Sequence, residues 1–184
     1  MNKLSQIVLI SGSPSAESSS DKVLDFVGSL IKKQGHHVEK ITVTDLPAED
    51  LVYGRYNGKA IKEVTKKIKK ADGIVIASPV YKSAYTGVLK ALLDILPQDV
   101  FQSKVVLPIM VGGSYKHLLA IEYTLKPIIS ILKGNSLNGV YIVDNQVDKK
   151  LENPIIDQQI DNRIIKQLED FEEALQEIEV SITK

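Results

Sequence analysis

A serine-rich loop, residues 11–20, carries side chains that could bind an anion. Six of its ten residues are serine, and none is lysine or arginine. Hydroxyl groups combined with backbone N–H groups at the start of a helix suit a phosphate dianion, which hydrogen bonds and the helix dipole would hold. Serines are also common in ordinary loops and at helix N-caps. The pattern therefore predicts either a phosphate site or a plain helix start.

A second loop, residues 78–87, combines an aromatic ring, a cation and free backbone groups. The loop follows an apolar run, and Tyr81 lies near its centre next to Lys82. A flat heteroaromatic ring could rest against Pro79, Val80 and Tyr81 while backbone N–H groups meet its heteroatoms. The alternative is a simple strand-to-helix turn in which Tyr81 is half-buried in the core.

A third loop begins with paired glycines. Gly112 and Gly113 follow the apolar run of residues 105–111 and precede Ser114 and His117. Two glycines let the backbone approach a ligand closely, although they also suit an ordinary tight turn. His117 is near enough in sequence to reach the same site, and capping or packing a helix is its alternative role.

Alternating apolar patterns indicate how these loops are positioned. Short β-branched runs, typical of buried parallel strands, alternate with segments of helical periodicity. Five such units without a linker predict one α/β domain over residues 1–184, an open parallel sheet with helices on both faces. Ligands bind such sheets beyond the carboxyl ends of the strands, where all three loops lie. The predicted strands are residues 7–10, 38–43, 74–77, 105–111 and 140–143, and the predicted helices are residues 21–34, 60–70, 86–96, 117–132 and 161–178.

Two prolines interrupt these patterns. Pro108 lies inside the fourth predicted strand, where it cannot donate to the ladder, so a bulge or local irregularity is expected. Pro127 lies inside the fourth predicted helix and leaves the carbonyl of Tyr123 without its i+4 donor. We expect that helix to kink, or to widen into a π-bulge at Tyr123. The alternative is a kinked core helix with a buried tyrosine.

Composition narrows the range of functions. The chain has 184 residues, 23 Lys+Arg, 23 Asp+Glu and no cysteine. Without cysteine there are no disulfides, thiolate metal sites or cysteine nucleophiles, and no metal site is expected. A net charge of zero offers no basic surface for nucleic acid or anionic lipid. Neither a signal peptide nor a membrane-spanning apolar stretch is recognisable, so a cytoplasmic protein is expected.

Taken together, the three loops resemble those of the flavodoxin-like NAD(P)H-dependent FMN reductases, and especially the reductase component of the two-component alkanesulfonate monooxygenase system. The matching stretches are residues 12–20, 78–97 and 112–127, of which 85–94 and 117–123 are the most specific. The likeness covers most of the chain. It implies a flavodoxin-like, five-stranded parallel sheet of order 2-1-3-4-5 and hydride transfer from NADPH or NADH to FMN.

The resemblance also implies roles for individual residues. Ser13, Ser18 and Ser20 would hold the FMN phosphate. Two stretches would flank the isoalloxazine ring, and they comprise Pro79, Val80, Tyr81, Lys82 and Ser83 together with Gly112, Gly113 and Ser114. Related reductases often carry an arginine two residues after the first phosphate serine. Ser15 stands there in this chain, which implies a less cationic and weaker phosphate site.

Assembly and partners are further expectations from the resemblance. The family carries a tyrosine in a π-bulge at a subunit interface near the flavin, and Tyr123 matches it. This match implies that Tyr123 modulates flavin release within a homodimer or homotetramer. A flavin-dependent monooxygenase would receive the reduced flavin. Likeness to the family thins beyond Ile142, and the sequence assigns no role to residues 144–160.

Other protein classes fit the residues less well. An electron-carrying flavodoxin would be strongly acidic, a receiver domain would carry a phosphorylatable Asp where Ser78 stands, and a low-molecular-weight phosphatase needs a cysteine. No Walker A motif is present, and no G-x-G-x-x-G follows the first strand. A quinone or azo-dye reductase with tightly held FMN remains the alternative. It would keep its flavin on dilution, whereas an FMN reductase would lose it.

Overall fold

The computed structural model describes residues 4–182, with side chains described up to residue 178. Strands and helices alternate along the chain, as the apolar patterns predict. The strands are β1 (Gln6–Ser11), β2 (His37–Thr42), β3 (Gly73–Pro79), β4 (Val105–Gly112), β5 (Asn135–Ser136) and β6 (Val140–Val143). The α-helices are α1 (Ser19–Lys33), α2 (Ala48–Val52), α3 (Lys59–Lys70), α4 (Gly87–Ile95), α5 (Lys126–Ile131) and α6 (Gln158–Ile182). No sequence pattern predicts α2, because five residues are too short to show a helical period.

All strands of the sheet run parallel, in the order β2-β1-β3-β4-β5, and β6 also pairs with β4. This order confirms the flavodoxin-like expectation. The chain leaves β1 toward one edge to form β2 and then returns to the other side of β1 to form β3. The strand order therefore reverses between β1 and β3, and a crevice opens beyond their carboxyl ends.

Helices cover both faces of the sheet, so the central strands are buried on both sides. Neighbouring residues of β1 alternate between the two faces: Leu9 packs toward α1 and α6, and Ile10 packs toward α3 and α4. In β3, Val75 and Ile76 alternate in the same way. Across residues 4–182, no helix combines the length and the apolar character needed to span a bilayer.

Two short strands occupy the sheet edge where the sequence predicts one. β5 pairs with the start of β4, β6 pairs with its end, and residues 137–139 connect them. The irregularity expected at Pro108 is therefore the break between β5 and β6 on one side of β4. On its other side, β4 pairs with β3 without a break. Gly139 turns the connection with φ +81°, and a Cβ on it would overlap the carbonyl oxygen of Pro108.

The helical segment predicted over residues 117–132 begins later than predicted and is not α-helical throughout. A 3₁₀ turn at Tyr115–His117 precedes a π-helix at Ile121–Leu125, which leads into α5. The π-helix confirms the widening expected at Tyr123, since Pro127 cannot supply the usual donor. The Tyr123 side chain is 75% exposed, so the alternative of a buried core tyrosine is wrong.

Replacing Gly139 with Ala should lower the free energy of unfolding by about 2–4 kcal/mol, because the new Cβ meets backbone at a left-handed φ. Gly87→Ala is the matched control, since a Cβ there would meet nothing within 4 Å. Urea unfolding of both variants measures the difference. Equal losses of stability in the two variants would contradict this account of the edge.

Candidate active site

The carboxyl ends of β1, β3 and β4 bring the three predicted loops to one edge of the sheet. The N–H of Gly12 donates to the carbonyl of Ala77 at 2.8 Å, which joins the serine-rich loop to β3. The N–H of Val80 donates to the carbonyl of Val111 at 2.8 Å, which joins the second loop to β4. The prediction that the loops share one edge is confirmed.

The serine-rich loop uses its hydroxyls in two ways. Ser13 is buried, and its Oγ donates to the carbonyl of Ser15 at 2.8 Å and accepts from the Ser15 N–H at 3.1 Å. The Oγ of Ser18 accepts from the N–H of Asp21 at 3.1 Å and so caps α1. The Oγ of Ser20 lies 3.1 Å from that of Ser18. Ser18 and Ser20 meet at the helix start, whereas Ser13 fixes the shape of the loop.

Several donors at the start of α1 have no partner. The N–H groups of Ser19 and Ser20 lie in the first helical turn, which offers no internal acceptor, and they donate to no other group among residues 4–182. The buried Ser11 hydroxyl at the end of β1 likewise lacks a partner within the described chain. The helix dipole adds positive potential at this point. This donor set fits a phosphate group.

The second loop folds into a tight turn. Tyr81 and Ala84 exchange backbone hydrogen bonds of 2.8 and 3.2 Å around Lys82 and Ser83, whose φ angles are +51° and +67°. Two consecutive left-handed residues are typical of a type I′ turn. The turn leaves the Tyr81 side chain 50% exposed, and Tyr81 packs into neither hydrophobic core of the described chain.

Pro79 and Val80 face the third loop. Pro79 lies in register with Val111 at the end of β4. A Cβ on Gly112 would come within 3.3 Å of the Val80 Cβ and would overlap the Tyr141 hydroxyl. The close packing of the protein itself therefore requires glycine at position 112.

Gly113, which is exposed, and Ser114, which is partly buried, form the rim of the third loop. A Cβ on Gly113 would meet nothing within 4 Å, so this residue leaves open space beside the site. The Tyr141 hydroxyl donates to the carbonyl of Ser114 at 2.6 Å and so anchors the rim to β6. Burial raises the pKa of Tyr141 above its ordinary value, which keeps this donor protonated. Of the paired glycines, Gly113 is the one with room for a ligand.

One side-chain contact links the second and third loops. The Oγ of Ser83 and the Nδ1 of His117 lie 3.0 Å apart. His117 ends the 3₁₀ turn and is partly buried, so its imidazole connects the two loops at the edge of the cleft. The contact brings these two predicted site residues together.

Thr86 connects the first two loops, although it is not among the predicted site residues. Its buried Oγ1 donates to the carbonyl of Gly12 at 2.5 Å and accepts from the N–H of Leu89 at 3.1 Å. The Thr86 N–H donates to the Ser78 hydroxyl at 3.1 Å. Its place directly before α4 predicts an N-cap, but no local signal predicts the bond to Gly12.

A segment of unassigned role reaches the site from another side. Residues 144–157, which we call the strap, connect β6 to α6. Asp144 Oδ1 accepts from the Ser19 hydroxyl at 2.6 Å, and Gln146 Nε2 donates to the Tyr115 hydroxyl at 3.1 Å. Both contacts join residues far apart in sequence, so no local pattern could have indicated them.

A family model described as NADPH-dependent FMN reductase matches residues 5–148 of the chain. The chain belongs to this family. FMN reductase (NADPH) of Escherichia coli strain K12 is 37% identical over 178 residues, which cover 96% of this chain and 93% of the relative. FMN reductase (NADPH) of Pseudomonas putida is 40% identical over 142 residues, covering 77% and 72%. The crystal structure of an apo NADH:FMN oxidoreductase matches with a TM-score of 0.75 and 30% identity, covering 96% of this chain and 89% of that one.

Membership of the FMN reductase family confirms the expected enzyme class. The protein is an oxidoreductase of the NAD(P)H-dependent FMN reductase type, with FMN and a reduced nicotinamide nucleotide as its redox partners. The flavodoxin-like architecture agrees with this assignment, because the serine-rich loop lies at the point where the strand order reverses.

Replacing Thr86 with Val should lower the free energy of unfolding by about 1–3 kcal/mol, because the Gly12 carbonyl and the Leu89 N–H lose a buried partner. The same variant should weaken FMN binding, since the loops that Thr86 joins would separate. Urea unfolding and FMN titration measure the two effects. Thr65→Val, on the partly exposed surface of α3, is the matched control and should change neither. Unaltered FMN affinity in Thr86→Val would contradict the coupling of the two loops.

Proposed function

We propose that this FMN reductase transfers hydride from NADPH or NADH to FMN and then releases the reduced flavin to a flavin-dependent monooxygenase. The observation that carries the proposal is the serine-rich loop at the switch point, whose open donors suit a phosphate but include no cation. A cytoplasmic location belongs to the same proposal, since reduced nicotinamide nucleotides are cytoplasmic metabolites.

In this proposal the start of α1 binds the phosphate of FMN. The hydroxyls of Ser18 and Ser20 and the N–H groups of Ser19 and Ser20 would donate to its oxygens. Ser13 would contribute indirectly, because its hydroxyl is engaged with Ser15. Four charge-assisted hydrogen bonds at about 1.5–3 kcal/mol each give roughly 6–12 kcal/mol before ordering costs. The net affinity would then be near micromolar, about −8 kcal/mol.

The isoalloxazine ring would lie between the second and third loops. Pro79, Val80 and the exposed Tyr81 ring would form one side, and the open backbone at Gly113 would form the other. The remaining loop residues would hold these surfaces in place: Lys82 and Ser83 shape the turn, Gly112 packs on Tyr141, and Ser114 and His117 anchor the rim.

The residues of the chain would serve mainly to position the two substrates. When bound, FMN supplies the ring that accepts the hydride. The loops would align the nicotinamide with that ring at reacting distance and keep water from the contact, which is the main contribution that proteins make to such transfers. In this proposal the second ring would enter beside the exposed Tyr81 and the open backbone at Gly113.

Release of flavin fits the low positive charge of the phosphate site. Ser15 is exposed where related reductases often carry arginine, and Ser18 and Ser20 are neutral donors. A phosphate held by neutral donors alone is expected to dissociate more readily than one held by arginine. This property favours FMN as an exchanging substrate over the permanently held FMN of a quinone or azo-dye reductase.

We also propose a homodimer or homotetramer in which Tyr123 faces the flavin site of a neighbouring subunit. Leu118, Leu119, Tyr123 and Ile131 are large apolar side chains that are each about half or more exposed on the segment after the third loop. Burial against a second copy of the chain would remove this apolar surface from water.

NADPH oxidation with and without added FMN tests the proposed function. A flavin-releasing reductase should lose its yellow colour on gel filtration and should then oxidise NADPH only when FMN is supplied. Retained colour together with turnover of quinones or azo dyes would instead favour the alternative reductase. An absence of both FMN dependence and flavin colour would contradict both functions.

Replacing Tyr123 with Ala should slow FMN dissociation by about two- to tenfold, because a ring that competes with flavin at the neighbouring site would be lost. Stopped-flow release of FMN measures the rate. Tyr56→Ala is the control, since Tyr56 is also largely exposed but lies between α2 and α3. Identical release rates in wild type and Tyr123→Ala would count against this role.

A further inference from the structure

The strap places a carboxylate against the start of α1. Asp144 is exposed to solvent, and its Oδ1 accepts a hydrogen bond of 2.6 Å from the hydroxyl of Ser19, the first residue of α1. The N–H groups of Ser19 and Ser20 are the open donors at this helix end. A negative charge therefore already lies beside the group of donors that suits a phosphate.

The strap also places an ammonium group against the serine-rich loop. The Nζ of Lys149 donates to the carbonyl of Glu17 at 2.9 Å. The loop itself contains no lysine or arginine, so this contact brings a cation to its backbone from a distant part of the chain.

Gln146 anchors the strap at a point between the two charged residues. Gln146 is buried, and its side chain accepts from the N–H of Val143 at 2.8 Å and donates to Asp157 at 2.8 Å. Asp157 in turn accepts from the N–H of Gln159 at 2.9 Å and caps α6. Hydrogen bonds from Gln146 and from backbone N–H groups lower the pKa of Asp157, so it stays ionised at neutral pH.

Other charged groups also lie near this end of α1, and one of them is Glu17 of the serine-rich loop itself. Asp21 and Asp25 both contact the ammonium of Lys40, at 2.9 and 2.7 Å. Lys22 and Lys149 line an opening of about 290 Å³ beside the loop, together with Glu17, Asp21 and Asp25. Water in this opening screens the strap charges, so their effect on a bound anion should be moderate.

We propose that Asp144 and Lys149 set how tightly the enzyme binds FMN. Asp144 weakens binding of the phosphate, and Lys149 strengthens it. Both are positioning residues, since each acts through a group of the serine-rich loop. The inference rests on the proposed function, in which the start of α1 binds the FMN phosphate. The carboxylate of Asp144 would repel the phosphate dianion and promote flavin release.

Two charge-removing variants test the proposal. Asp144→Asn keeps an acceptor for Ser19 but removes the charge, so the Kd for FMN should fall by about three- to twentyfold. Lys149→Gln removes the cation, so the Kd for FMN should rise by a similar factor. The Kd for riboflavin, which lacks the phosphate, should stay the same in both. Quenching of flavin fluorescence measures each Kd at low and high salt, and the differences should shrink at high salt.

Matched controls remove the same charges elsewhere on the strap. Glu152→Gln and Lys150→Gln alter exposed residues whose side chains make no hydrogen bond to the serine-rich loop within the described structure. Both should leave the Kd for FMN near that of the wild type. Lys149→Arg should bind FMN about as tightly as the wild type, because arginine keeps the positive charge.

The outcomes separate this inference from the proposed function. Equal changes in the riboflavin and FMN affinities would show that the strap acts only on folding of the loop, and would overturn the inference. Weaker FMN binding in Asp144→Asn would overturn it as well. Failure of the wild-type protein to bind FMN at all would instead overturn the proposed function.

Discussion

The buried hydroxyl of Thr86 is the contact on which the geometry of the site depends. It joins the Gly12 carbonyl of one loop to the first turn of α4, and the Thr86 N–H is held in turn by Ser78 at the end of β3. Strands β1 and β3 lead their chains to opposite sides of the sheet, and the bond from the Gly12 N–H to the Ala77 carbonyl joins their loops only where the strands end. The Thr86 side chain adds a second link across the crevice that the strand order opens. Its partners are buried backbone groups, which would be costly to leave unpaired.

Much of the fold was predictable because its signals are local. The β-branched runs of β1, β3 and β4 are buried on both faces, as their continuous apolar character indicates. Pro127 predicts the π-helix because the missing N–H affects a carbonyl only four residues away. The split between β5 and β6 was not predictable, since it depends on how Gly139 meets Pro108 across the sheet edge.

The candidate site likewise has features that the sequence predicts and contacts that it does not. The loops could be identified from serines, glycines and an exposed aromatic residue, because each follows a recognisable strand. The contacts between Ser83 and His117, and between Asp144 and Ser19, join residues 34 and 125 positions apart. Such pairs become visible only when the sheet has brought distant segments together. The strap therefore had no signal in the sequence, although it contacts two of the three loops.

The type I′ turn at Lys82 and Ser83 has a consequence for how the cleft meets its ligands. Two consecutive left-handed residues other than glycine cost about 1–2 kcal/mol each, and the rest of the fold must hold them there permanently. In the proposed binding mode, the backbone beside Tyr81 would already have its bound conformation before any ring arrives. Recognition on that side would then depend on preorganised shape, and little conformational entropy would be lost when a flat molecule binds.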